Sequence, residues 1–160
     1  MLAPGASYGP AKQWGADRFA AVGARAALDR KLAIVVVGAV EDRAVATGVV
    51  ESAAAAGAIV TDVTGATDLV ELVGILSAAR AVVSNDSGVM HLAAALGRPT
   101  VGIFGSTSPV WTSAAAPWVA NLYAAYPCSP CFRRTCPIGY RCLRAIETEA
   151  AVEALDRLLA

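Results

Sequence analysis

The chain has 160 residues, with 13 basic and 13 acidic side chains that leave no net charge. That length suits a single domain, 1–160, able to bury its own core. No apolar run reaches the ~18 residues that a membrane span needs. The opening residues carry no basic stretch followed by an apolar core, so they do not read as a secretory signal.

The first feature is a glycine- and proline-rich loop, PGASYGPAKQWG, at residues 4–15. It stands almost at residue 1, which suggests that other structure normally precedes it. Gly5, Gly9, small hydroxyls and Lys12 can bring backbone amides and one ammonium to a diphosphate. The spacing is not that of a Walker A loop. Trp14 reads as a packing residue that fixes the loop. A helix is expected over 17–28.

Residues 32–37, LAIVVV, form a short, continuous, β-branched run, as in a strand covered on both faces. The stretch ends at Gly38. Glu41 follows, where an acid can bind ribose hydroxyls or simply decorate the first turn of the next helix, expected over 41–56. A short strand is expected at 59–60. Asp68, with Glu71 three residues later, marks a capping-box start for a helix over 68–78.

Residues 81–84 read as another strand, broken at Asn85-Asp86-Ser87-Gly88 and followed by a helix over 89–96. Free N–H groups at a helix start favour phosphate. Gly88 lets a ligand approach the backbone. Asp86 would repel phosphate, so it caps the helix or accepts from sugar hydroxyls. His91, the one histidine, stands one turn in and can donate to phosphate or hydroxyl oxygens. Locally, an N-cap followed by a packed histidine explains the same pattern. Strands are expected at 100–104 and 121–126, and a last helix over 148–159. Strand and helix in alternation point to an α/β, Rossmann-like three-layer sandwich with a mostly parallel sheet.

Residues 106–143 form a loop-rich segment. It holds all four cysteines: Cys128, Cys131, Cys136 and Cys142, spaced C-x2-C-x4-C-x5-C. Four thiolates can hold a structural zinc or, less readily, an iron–sulfur cluster, although the spacing is not that of paired zinc knuckles. No Asp or Glu occurs from Ser87 to Ile146, while five arginines do. They serve an anionic partner or pair with acids elsewhere.

Three stretches together resemble the C-terminal half of the glycosyltransferase family 9 heptosyltransferases. They are PGASYGPAKQW, TGATDLVELVGILSAARAVVSNDSGVMHLAAALGRPTVGIFGSTSP and CSPCFRRTCPIGYRC; the last is most like the heptosyltransferase II type. The resemblance implies the C-terminal domain of a GT-B fold, which binds the nucleotide-sugar donor, ADP-heptose. It places Lys12 at the diphosphate and sugar, with Ser7, Tyr8 and Gly9 bordering the phosphates. Ser87 and Gly88 become phosphate donors, Asp86 and His91 neighbours of the heptose, and Glu41 a neighbour of ribose or adenine. It also implies transfer without a metal cofactor, onto a lipid-linked saccharide of the lipopolysaccharide inner core. The acceptor domain and its catalytic base are expected outside this chain, which alone is expected to be inactive. The implied setting is cytoplasmic, with peripheral contact at the inner face of the inner membrane. A sugar-nucleotide epimerase of related fold fits the NDSG and FGSTSP stretches less well. The remaining alternative is a non-catalytic module that binds a protein or nucleic acid through its cysteines and arginines. Nucleic acid is not expected, because aromatic stacking platforms are lacking.

Overall fold

The computed structural model describes residues 1–160. Six parallel strands form one sheet in the order β3-β2-β1-β4-β5-β6. They are β1 Leu2–Ala3, β2 Ile34–Val36, β3 Val60–Asp62, β4 Val82–Asn85, β5 Thr100–Phe104 and β6 Val119–Tyr123. The main helices are α1 Ala16–Arg30, α2 Arg43–Ala55, α3 Leu69–Ala78 and α4 Gly88–Ala95. Two single turns, α5 Pro109–Thr112 and α6 Arg141–Arg144, precede the final helix α7 Thr148–Leu158.

The expected α/β sandwich is therefore present. Helices α1, α2 and α7 pack together, while α3 packs with α4. Alternation along β4 shows why two helix layers form. Val83 belongs to the larger core with Phe19, Val36, Val49 and Ala154, whereas Val82 belongs to a smaller core with Leu76 and Ala93. Successive side chains on a strand point to opposite faces, so each of these valines serves one layer. The core is largely aliphatic, as the composition suggests, but its two largest fully buried side chains are Phe19 and Phe104.

The sequence reading missed β1. Two residues are too few for a periodic signal, and the proline and glycine that follow resemble a loop. Leu2 nevertheless pairs with Val36 on one side and Val83 on the other. The sheet completes it, because a buried backbone must find hydrogen-bond partners. The other boundaries move by a few residues. Residues 40–42 form a 3-10 turn rather than the start of α2. The strand expected at 121–126 runs from Val119 to Tyr123, and the loop-rich 106–143 segment also contains α5 and α6. The capping box is as expected: Glu71 N–H donates to Asp68 Oδ1 and Asp68 N–H to Glu71 Oε2, both at 2.8 Å.

Chain order reverses between β1 and β4, so their carboxyl ends open a crevice. In sheets of this kind, ligands bind there. Asn85 ties the crevice together. Its buried amide nitrogen donates to Pro4 O at 2.7 Å, and its Oδ1 accepts from Trp14 N–H at 3.1 Å. The loop after β1 is thus fastened at both ends to the end of β4. Trp14 fixes the loop as expected: Nε1–H donates to Ile146 O at 3.0 Å, and the ring meets Phe19 edge-on. Asn85→Ala would orphan a buried donor and a buried acceptor. It should cost about 2–4 kcal/mol, measurable as a lowered denaturant midpoint with an unchanged m-value.

Candidate functional site at the strand crossover

A cleft of about 340 Å³ lies at the carboxyl ends of β1 and β2, beside the starts of α3 and α4. Ser7, Ser87 and Gly88 line it, as the motif reading expects. Ser87 is the N-cap of α4, and no side chain caps that helix. Its first-turn N–H groups therefore face the cleft without an intrahelical partner. A methyl group placed on Gly88 would meet nothing within 4 Å. This is open space at the positive end of a helix dipole.

Val37, Leu69, Leu72 and Val89 form an apolar wall, and Asp42 and Asp68 are the acids of the lining. Glu41 is exposed and lies outside it; its neighbour Asp42 faces inward. The 3-10 turn sets that choice. Asp42 Oδ2 accepts the Ala39 N–H at 2.9 Å, which swings the carboxylate back over the strand end. Gly5 makes this possible, because a Cβ there would collide with the Asp42 carboxyl group.

Beside the cleft is a buried ion pair. Lys12 Nζ donates to Asp86 Oδ2 at 2.6 Å, with the two side chains 12% and 3% exposed. Thr107 Oγ1 donates to the same oxygen at 2.6 Å, and Thr112 Oγ1 stands 3.1 Å from it. Asp86 is thus not the helix cap. Its carboxylate turns away from α4 towards Lys12 and the end of β5, and Ser87 takes the cap position. The Tyr8 ring lies 4.8 Å from Lys12 Nζ. His91 is exposed on α4 and does not line the cleft. The structure therefore forms two neighbouring groups: Ser7, Ser87 and Gly88 in the cleft, and Tyr8, Lys12 and Asp86 beside it. Sequence reasoning missed Asn85, Thr107 and Thr112 as contributors. Thr107 stands just past β5, and the rule that ligands sit at strand carboxyl ends points to that position.

The cysteine segment supports this loop from the other side. Ala11 N–H donates to Arg134 O at 3.1 Å, and Arg134 Nε–H donates to Tyr8 O at 2.7 Å. Gly9, the N-cap of a 3-10 turn at 10–12, has φ +136°, and a Cβ there would lie 2.8 Å from Arg134 O. Cys131 and Phe132 N–H groups both donate to Ser106 O. None of the five arginines in the acid-free stretch forms a salt bridge. Arg98 and Arg134 donate to carbonyls instead, and Arg141 to the Tyr126 hydroxyl.

The four thiols are free, and no three metal-ligating side chains of the chain converge into a metal set. As placed, they do not fit a zinc ion. Their environments differ. The N–H groups of Ile138 and Tyr140 lower the Cys136 thiol below its ordinary pKa, the latter donating at 3.2 Å. Burial raises that of Cys142. Limited iodoacetamide treatment near neutral pH should label Cys136 before Cys142, since the thiolate is the reactive form. Peptide mapping would check the order. A second prediction concerns the ion pair. Lys12→Met leaves the buried Asp86 carboxylate without its cation and should cost about 3–5 kcal/mol. Adding Asp86→Asn should recover much of that loss in equilibrium unfolding.

Comparison with known proteins identifies the family. The family model for glycosyltransferase family 9 (heptosyltransferase) matches residues 1–141. Lipooligosaccharide heptosyltransferase 2 of Haemophilus ducreyi is 38% identical over 112 residues, covering 68% of this chain and 32% of that protein. Lipopolysaccharide heptosyltransferase 2 of Escherichia coli K12 is 36% identical over 110 residues, covering 68% and 31%. The solved structure of E. coli ADP-heptose lps heptosyltransferase II superposes with a TM-score of 0.80 at 28% identity, over 99% of this chain and 45% of that one. The chain spans less than half the length of each of these proteins. With its fold, its crossover cleft and a family match over most of its length, the chain belongs to glycosyltransferase family 9.

Proposed function

We propose that this chain is the donor-binding part of a heptosyltransferase, which moves heptose from ADP-heptose to the lipopolysaccharide inner core. The observation that carries this reading is the uncapped start of α4, open around Gly88 at the sheet's crossover. The apolar wall of Leu69, Leu72 and Val89 suits a planar base, and Asp42 offers acceptors to ribose hydroxyls. The α4 N–H groups then meet the diphosphate, with Lys12 beside it.

Departure of a nucleoside diphosphate concentrates negative charge on its phosphates. Donors already aimed at that position stabilise the transition state without reorganising. These groups also do the work that a metal does elsewhere, so no metal is assigned to transfer. We assign no acceptor base in this chain. That group and the lipid-linked acceptor's site belong to a further domain, as the twofold length of the relatives suggests. The proposed setting is the cytoplasmic side of a membrane, by peripheral contact; no helix of the chain is long and apolar enough to cross one.

Calorimetry with ADP tests the reading. The unaltered chain should bind. Gly88→Ala should fold normally, because its methyl group meets open space, yet bind ADP about tenfold more weakly, since that methyl occupies the phosphate seat. Equal affinity would remove the site from α4. Salt-sensitive nucleic-acid binding without ADP binding would favour the non-catalytic module instead. A structural zinc on Cys128, Cys131, Cys136 and Cys142 is a separate proposal, and it requires the segment to close further than the structure shows. One zinc per purified chain by elemental analysis would support it, and four alkylatable thiols without metal would end it.

A further inference from the structure

Lys12 faces two demands. The donor reading needs its ammonium at a diphosphate, yet the structure holds it on Asp86 at 2.6 Å. Asp86 is 4% exposed. Removing the cation from such a carboxylate leaves an uncompensated buried charge, which is strongly unfavourable. The ammonium has three N–H donors, but one drawn to within 2.6 Å of Asp86 must move off that oxygen to close fully on a phosphate. Something must make its release tolerable.

Two threonines meet that requirement. Thr107, itself 3% exposed, donates its hydroxyl proton to the oxygen that Lys12 uses, at 2.6 Å. Thr112 is placed more tellingly. Its Oγ1 lies 3.1 Å from Asp86 Oδ2 and 3.1 Å from the Ser108 carbonyl. A hydroxyl has one proton to give, so Thr112 serves one of these acceptors at a time. The Ser108 carbonyl is not left bare by the switch, because it also accepts the Trp111 and Thr112 backbone N–H groups at 3.0 Å. Thr112 is therefore a donor in reserve.

We infer that Thr107 and Thr112 are positioning residues that take over Asp86 when Lys12 leaves it for the donor's diphosphate. Thr107 holds the carboxylate throughout. Thr112 turns from Ser108 to Asp86 as the ammonium departs. Hydrogen bonds to a charged group are the stronger kind, so the bond gained from Thr112, with Thr107 already in place, offsets part of the lost ion pair. Neither threonine needs to touch the ligand. This inference rests on the donor reading and deepens it.

The test is ADP calorimetry on the folded chain and its variants, with circular dichroism to verify folding. Thr112→Val should weaken ADP binding by about tenfold, the effect of one hydrogen bond to a buried charge that is gained only when Lys12 leaves. Thr112→Ser, which keeps the hydroxyl, should bind like the unaltered chain. Thr107→Val loses a bond made both with and without ADP, so it should lower stability and change affinity much less. Thr112 is half-buried, so its variants carry the test if Thr107→Val fails to fold. The decisive comparison is made in the Asp86→Asn background, where no buried charge needs support: there Thr112→Val should change affinity little. The inference is overturned if Thr112→Val binds ADP unchanged, or loses the same factor in the Asp86→Asn background as in the unaltered chain. Absence of ADP binding by the unaltered chain would overturn the donor reading, and this inference with it.

Discussion

A buried carboxylate must be paired, and the organisation of this site follows from how Asp86 is paired. The residue sits at the end of β4, where the chain order of the sheet reverses. Its partners come from far along the chain: Lys12 from the loop after β1, and Thr107 and Thr112 from beyond β5. Two segments that share no local sequence are drawn to one oxygen. The position of Lys12 beside an open helix start is a consequence of that pairing.

The rest of the chain supports the same loop. Asn85 fastens it at Pro4 and Trp14, next to Asp86 in sequence. Arg134 and Phe132 hold its other side through backbone contacts to Tyr8 and Ala11. The loop-rich segment with its cysteines thus has a structural task, holding the loop after β1. It closes over residues 7–11 and gives Tyr8 a fixed place against Lys12. Arg98 and Arg134 pair with no acid and donate instead to the carbonyl oxygens of Leu96 and Tyr8, which holds loops rather than balancing charge.

Much of this was legible in the amino-acid sequence. Apolar strand runs, the Asp68–Glu71 box and the glycine-marked break at 85–88 rest on local physics, in which a residue's neighbours in sequence decide its conformation. Ser7, Ser87 and Gly88 reach the cleft as their motifs imply. The strand β1 was not legible, because its two residues gain their partners only from β2 and β4. Glu41 and Asp42 were not separable by pattern either. Adjacent acids look alike in sequence, and a single backbone bond to Ala39 turns Asp42 inward.

By itself, the sequence determined the fold class, the parallel alternation, and the loop, helix start and strand ends where a ligand would sit. These follow from periodicity, capping and the steric freedom of glycine, all of short range. Only the tertiary structure decided what the charged groups do. It buried Asp86 and gave it Lys12 and two threonines. Each of these contacts brings atoms distant in sequence to within about 3 Å, and hydrogen bonds weaken steeply beyond that range.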